Sequence, residues 1–300
     1  MRWSGAIRFG IIGAALAGAL SGCATSSVDT AAATASCDRA CLSGAITQYM
    51  DALLQHDPSR LPLAANVKFT ENQKIMPIAD APLWKGASRP RDYRQDIIDV
   101  REGVAGSHII LEEYGIPVML LVRLKLVDKK ITEIETQVTR NSTEGAIFAI
   151  DNLRTANPAM QYEPKPEERN KREDLIRIAV KYPDGLKAGS FVDVDAPFSP
   201  DAYRLENGRV MAGKGCVGTA GCENIKTQRI PKLSKLAYRV AAVDEEQGIT
   251  WIRMDFGPGS IRGADNSLIV WEAFKVYGDQ MHAVEAFMRI AKADSHSGWD

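Results

Sequence analysis

Charge of one sign is what these 300 residues lack: 37 Lys and Arg stand against 38 Asp and Glu, a formal balance of −1. Phosphate backbones are held by basic surfaces, and no stripe of Lys and Arg interleaved with aromatics occurs here, so a nucleic-acid partner is not expected. Histidine is scarce, with four in the chain. His56, His108, His282 and His296 show no His-x-His or His-x-x-x-His spacing, so no metal is expected. Gly213, Gly215 and Gly218 around Cys216 lack the Lys-Ser/Thr ending of a phosphate loop, and no Gly-x-Ser-x-Gly elbow is present. No bound cofactor is therefore expected. Past the N-terminus no apolar run reaches the length of a membrane-spanning helix.

What is there begins with an export signal. Arg2 and Arg8 precede an uncharged apolar stretch, Phe9 to Leu20. Its length, roughly 18 Å as a helix, is too short for a bilayer core of about 30 Å. The stretch reads as a secretion signal. It ends in Leu20-Ser21-Gly22-Cys23, which resembles a bacterial lipobox and implies lipidation of Cys23 after removal of residues 1–22. Ala24 in the next position points to the outer membrane facing the periplasm, with the lipid anchor as the only membrane contact. Residues 23–36, small and polar, suit a flexible tether. Four further cysteines come as close pairs, Cys37/Cys41 and Cys216/Cys222. In an exported protein these are expected to be two local disulfides, although four cysteines allow three pairings and metal binding is the rival reading.

The folded part carries an internal repeat. Tyr49-Met50-Asp51-Ala52-Leu53 matches Tyr182-Pro183-Asp184-Gly185-Leu186 at an offset of 133. Glu71-Asn72 matches Glu206-Asn207 at 135, and the stretch from Leu124 to Glu135 matches Phe274 to Glu285 at 150. Three matches in one order, with the offset growing only across turns, argue for duplication. Each copy opens on an amphipathic helix, set by Leu42, Ile46, Tyr49 and Leu53 in the first and spanning Arg169 to Leu186 in the second, where Pro183 should end or kink it. A short helix over Arg60–Ala64 and then an antiparallel meander follow in the first copy, with one sheet face on the helix and the other partly wet. Asp128-Lys129-Lys130 and Gln247-Gly248 read as hairpin turns. Residues 37–161 and 169–300 are thus the two domains, and the proline- and charge-rich residues 162–168 the linker. A helix followed by a meander gives an α+β class.

A Tyr-bearing helix, a closing Asp57, a first strand ending in an acid and a late hairpin with Glu135 resemble the nuclear-transport-factor-2-like, or SnoaL-like, cone fold of ketosteroid isomerases and polyketide cyclases. The tandem copy and the Cys-Asp-Arg-x-Cys start resemble a bacterial and fungal tandem family without an assigned function. The resemblance implies two cone-shaped rolls (cystatin-like), each a helix packed on a curved antiparallel sheet, able to pair as a homodimer through their sheets. It implies further that Tyr49 takes the oxyanion-hole position and Glu71 the proton-shuttling position in the first cone. Tyr182, Glu206 and Glu272 take the corresponding places in the second, where the first cone has Val122 for Glu272. Buried carboxylates of this kind lose solvation and move toward neutral pKa values, and a buried Tyr stabilises a forming oxyanion. His108, mid-strand near Glu112 and Glu113, is a further candidate for the first pocket. The tail with His296 is expected over the second cone. Two functions remain open: a small apolar ligand handled by cofactor-free acid/base isomerase, lyase or dehydratase chemistry, or an envelope lipoprotein that only binds or scaffolds.

Overall fold

The computed structural model describes residues 37–217 and 220–299. The signal, Cys23 and the tether lie outside these residues. Among the described residues no helix is long and apolar enough to cross a membrane.

The first half opens on helix α1 (Arg39–Leu54), whose N-terminal residue Asp38 accepts the Cys41 N–H and so satisfies one of the free helix-end donors. Cys37 and Cys41 are joined across this end. Six strands follow: β1 (Leu63–Glu71), β2 (Lys74–Ile75), β3 (Ala87–Asp99), β4 (Val104–Glu113), β5 (Ile116–Val127) and β6 (Lys130–Thr139). A one-turn helix, α2 (Pro82–Gly86), sits between β2 and β3, and two more, α3 (Ser142–Gly145) and α4 (Pro158–Gln161), follow β6. The second half repeats the plan. Helices α5 (Arg172–Ala179) and α6 (Lys181–Ala188) precede β7 (Phe198–Glu206), β8 (Arg209–Ala212), β9 (Ala237–Asp244), β10 (Ile249–Asp255), β11 (Asn266–Tyr277) and β12 (Gln280–Lys292). The break between α5 and α6 falls where Pro183 cannot supply an N–H and its ring crowds the carbonyl four residues back.

Each half is one six-stranded sheet, in the orders β2-β1-β6-β5-β4-β3 and β8-β7-β12-β11-β10-β9. The sheets are mixed rather than wholly antiparallel, because β1 runs parallel to β6 and β7 to β12. The meander returns to the first strand from the far side, and that closure curls each sheet over its helix. Register confirms the repeat at the level of single residues. Glu71 pairs with Thr136 and Val122 with Thr136, while Glu206 and Glu272 both pair with Ala286. Five hairpins among the described residues turn on two residues with positive φ: Asn72-Gln73, Tyr114-Gly115, Asp128-Lys129, Asn207-Gly208 and Gly278-Asp279. Paired positive φ values match the right-handed strand twist, and each of these turns has an Asn, Asp or Gly in at least one of its two places. The expected short helix after Asp57 is one 3-10 turn, Pro58–Arg60, and β1 begins by Leu63.

The wet sheet face expected from the sequence is absent. Every residue of β4 is buried. Its odd positions Ala105, Ile109 and Leu111 pack with α1, while Val104 and Ile110 face residues of the second half, including Trp251 and Phe287 respectively. The two halves therefore bury their outer sheet faces on each other, and parallel exchanges lock the pair. Arg39 of α1 binds Asp244 at 2.8 and 3.0 Å, and Arg172 of α5 binds Asp99 at 3.0 and 2.7 Å. Asp244 also accepts the Ile98 N–H and Asp99 the Val243 N–H. The symmetry of these bonds marks a pseudo-twofold axis. The tail does not cover the second cone: Trp299 donates to the Thr70 hydroxyl and Ser295 to Gln73, on the β1–β2 hairpin of the first half.

Candidate functional site

Strand parity decides which side chains look into each cone. On β7 the inner positions are Arg204 and Glu206, and on β11 the inner position opposite them is Glu272. Tyr182 reaches down from the first turn of α6, just past the helix break. The structure brings all four together. The Arg204 guanidinium donates to the Tyr182 hydroxyl at 3.1 Å and pairs with Glu206 at 2.8 Å. The Tyr182 hydroxyl lies in turn against the Glu272 carboxyl. Gln228, from the segment between β8 and β9, accepts from Arg204 at 3.3 Å. Tyr182 and Glu272 are each 1 % exposed. Around them stand Phe191, Phe198 and Phe274, with Phe191 4.8 Å and Phe274 5.1 Å from the Tyr182 ring.

These surroundings set the proton inventory. Burial, reinforced by the charge of Glu206, pushes the Glu272 carboxyl up to about 8. Its Oε2 has no hydrogen-bond partner. Burial raises Tyr182 well above the ordinary phenol range. Burial opposes the charge of Arg204, but Tyr182, Glu206 and Glu272 together hold its pKa above the usual value. Two carboxylates in one apolar space thus differ in state: one is paired with a cation, the other is a neutral acid at pH 7.

The first cone is the same framework with different contents. Tyr49 and Glu71 face the same interior, as required if they were to act together. Yet Trp84 of α2 fills the space, donating from Nε1 to the Tyr49 hydroxyl at 3.3 Å with the rings edge to face at 5.5 Å. His56, just past α1, donates from Nδ1 to the Trp84 carbonyl at 2.6 Å and pins that helix turn. Glu71 is held by the Leu83 N–H and by Arg140, each at 3.2 Å, and burial still raises its pKa. At the place of Arg204 stands Phe69, and at that of Glu272 stands Val122.

His108 joins neither cone. As an even-numbered residue of β4 it points to the other half, where its Nε2 accepts from Trp251 at 3.0 Å and its ring stacks on Phe287 at 4.5 Å. Burial lowers its pKa to about 3, so it resists taking up a proton and cannot serve as a base near neutrality. Glu285, an outer-face residue of β12, accepts from Tyr93 and Tyr203 in the same seam. Arg204, Gln228, Arg140 and Trp84 were not singled out from the sequence. Arg204 was readable, being two residues before Glu206 and hence on the same strand face; the others come from loops and from the strand end, where sequence periodicity carries no signal. The second pair of cysteines, Cys216 and Cys222, is disulfide-bonded in the loop that leads to Gln228.

Fold and site together describe a tandem α+β cone protein in which the second cone gathers Tyr182, Arg204, Glu206 and Glu272 and the first is filled by Trp84 against Tyr49. Residues 168–288, the second half, match a family described as Domain of unknown function (DUF8021). Among curated proteins none matches the chain. Similar solved structures include a de novo designed protein with a curved β-sheet, at 17% identity over 34% of this chain and 88% of that one, with a TM-score of 0.29. A ketosteroid isomerase candidate from Shewanella frigidimarina matches at 22% identity over 32% of this chain and 94% of its own, TM-score 0.25. An NTF2-like protein of unknown function from Shewanella baltica matches at 11% identity over 34% and 94%, TM-score 0.26.

Proposed function

We propose that the second cone is a binding site for a small, uncharged, largely apolar ligand with one oxygen function, and that Glu272 exchanges a proton with it. The observation that carries this reading is the unpartnered Oε2 of Glu272 beside Tyr182, in a cone whose sister has Val122 at the same register position. A native core seldom leaves a buried polar atom unsatisfied without use for it. Charge counting selects an uncharged ligand, because Arg204 is neutralised by Glu206 and Glu272 is neutral, so an added ion would remain uncompensated in a low dielectric. In a reaction cycle Glu272 would donate to the ligand oxygen, Tyr182 would share the developing negative charge, and Glu206 would be the carboxylate placed to take a proton back. The product class would be that of an isomerase, lyase or dehydratase. Ligand access requires displacement of the Gln228 segment, which with Ile225, Ile230 and Leu233 belongs to the cone's core.

In this proposal the chain is exported and held by a lipid on Cys23 at the periplasmic face of the outer membrane, with the first cone as a structural partner. The completeness of packing in that first cone supports a second reading, in which the whole molecule is a binding or scaffolding lipoprotein without turnover. Native mass spectrometry on protein purified from its own envelope separates the two. A retained small molecule that is lost from Glu272→Gln and from Tyr182→Phe, with folding intact, supports the site; a protein that carries the same mass in all three forms removes Glu272 from the reading.

A further inference from the structure

The two cones are closed in different ways. In the first, residues 76–86 join β2 to β3 and carry Trp84. That stretch is fastened to its surroundings by its main chain. The Met76 N–H donates to the Phe69 carbonyl and the Leu83 N–H to Glu71, while the Trp84 and Gly86 carbonyls accept from His56 and from the Tyr114 N–H. In the second half the same connection, from β8 to β9, is residues 213–236, more than twice as long. Ile225, Ile230 and Leu233 pack from it into the cone's core, and Gln228 accepts from Arg204 at 3.3 Å. Among the described residues, the main-chain hydrogen bonds of 223–232 stay within residues 221–228. This strap is therefore tied by its main chain at its two ends. At one end the Cys222 carbonyl accepts the Gly213 N–H at 2.8 Å, and at the other the Leu233 N–H donates to the Leu186 carbonyl of α6 at 2.8 Å. Lys226 on Asp195 adds an exposed ion pair, which holds weakly.

The first of these ties is backed covalently. Cys222 is bonded to Cys216, six positions earlier, and next to Cys216 the Val217 N–H donates to the Val210 carbonyl of β8 at 3.2 Å. Gly215 and Gly221, each beside one of the cysteines, have positive φ and open space around them, so their surroundings offer no steric hold once the disulfide is broken. Cys222 is 4 % exposed, whereas Cys216 is half-buried between exposed Gly215 and Val217. A thiolate from solvent thus meets the Cys216 sulfur first. We infer that the Cys216–Cys222 disulfide is a redox latch on the second cone: intact, it keeps residues 223–232 closed over Arg204 and Tyr182, and reduced by a dithiol, it releases them. In that exchange one thiolate of the dithiol bonds to Cys216 Sγ as the bond to Cys222 breaks, and Cys222 leaves as a thiolate. The second thiolate of the dithiol then displaces Cys216. The reductant departs as a disulfide, and its two electrons and two protons stay on the two cysteines. As a control of ligand entry the latch rests on the second cone being the binding site proposed above; its mechanics do not.

The test is hydrogen–deuterium exchange, read by mass spectrometry, on the full chain when oxidised, after reduction with dithiothreitol, and as the double variant Cys216→Ser/Cys222→Ser. Reduction also opens Cys37–Cys41 at the end of α1, so Cys37→Ser/Cys41→Ser is the control. Exchange over residues 223–233 should quicken about tenfold or more in the reduced parent and in the Cys216/Cys222 variant, and should stay at the oxidised rate in the control. Residues 76–86 and strands β11 and β12 should exchange alike in all forms. Unchanged exchange over 223–233 overturns the inference. So does a rise that spreads through β11 and β12, because the second half would then be unfolding as a whole. Uptake of N-phenyl-1-naphthylamine, an uncharged apolar dye, reads the cone separately. Quickened exchange without dye uptake upholds the latch and refutes the binding reading; equal dye uptake by oxidised and reduced protein, with exchange unchanged, upholds the binding reading and refutes the latch.

Discussion

Replacing Glu272 by Gln removes one proton-binding group from the second cone while keeping the shape of the neutral side chain. In the folded protein the carboxyl titrates at about 8, against an ordinary value of 4.5. A gap of about 3.5 pH units corresponds to ~5 kcal/mol at 1.36 kcal/mol per unit. Because the folded state holds the proton more tightly than the unfolded chain, this stabilisation is complete below pH 4.5. It is lost as pH rises through about 8. A figure of ~5 kcal/mol is therefore the ceiling of the effect. The assay is urea unfolding of the parent and Glu272→Gln in parallel from pH 5 to 8.5. Other groups titrate equally in both proteins, so the difference between them isolates Glu272. At pH 5 the two should be nearly matched; with each further pH unit the Gln variant should gain up to about 1.4 kcal/mol on the parent. Stability curves that stay parallel from pH 5 to 8.5 would show an acid already ionised, and the proton-donor role would fall with it.

The seam between the halves yields three more expectations. His108 titrates at about 3 instead of 6.5, so the parent should hold its stability above pH 6.5 and lose up to ~5 kcal/mol as pH falls toward 3; His108→Gln, followed by acid titration of near-ultraviolet circular dichroism, should shift that limb to lower pH. Asp99→Ala and Asp244→Ala each strip a buried carboxylate from a guanidinium and from a backbone N–H. Urea midpoints should report losses of about 3 kcal/mol for either one, alike because the contacts are related by the pseudo-twofold. Gly106→Ala would set a Cβ 2.3 Å from the Trp251 ring, and a fall of about 1–3 kcal/mol in thermal unfolding is expected as the halves are forced apart.

Much of the plan was legible in the chain, for physical reasons that also define what was not. The repeat survived because turn residues and helix-facing apolar positions are constrained one by one, and Pro183 announced the break between α5 and α6. Tyr182, Glu206 and Glu272 could be placed together because register and parity follow once three strands are aligned. His108 could not be placed. In the run Ser-His-Ile-Ile-Leu both strand faces are apolar, since both are buried, and a strand buried on two sides loses the alternation that tells inside from outside. The parallel pairing of β1 with β6 escaped for a different reason: it joins residues more than sixty positions apart, and nothing local encodes it. Nor did β2, two residues long, leave a pattern to read. Trp84 was hidden because the plug of the first cone rides on a single helical turn whose place is set by Glu71, which accepts the Leu83 N–H, and by His56, not by its own neighbours.

Why the two halves remain distinct follows from the seam. Glu135 lies there with Arg239 and Arg253 of the second half. By register, the first-half positions equivalent to those arginines are Gln95 and His108, a pair on adjacent strands as Arg239 and Arg253 are. Two first halves placed face to face would therefore bury Glu135 opposite uncharged groups, and a buried carboxylate without its cation costs about 3–5 kcal/mol. Its counterpart Glu285 is instead matched to hydroxyls, accepting from Tyr93 of the first half and Tyr203 of the second, and burial raises its pKa. Glu135 thus finds its cations on the second half, whereas Glu285 is held by hydroxyls from both halves. Behind this one-directional seam the cones differ: one is filled by Trp84 against Tyr49, and the other keeps Glu272 buried.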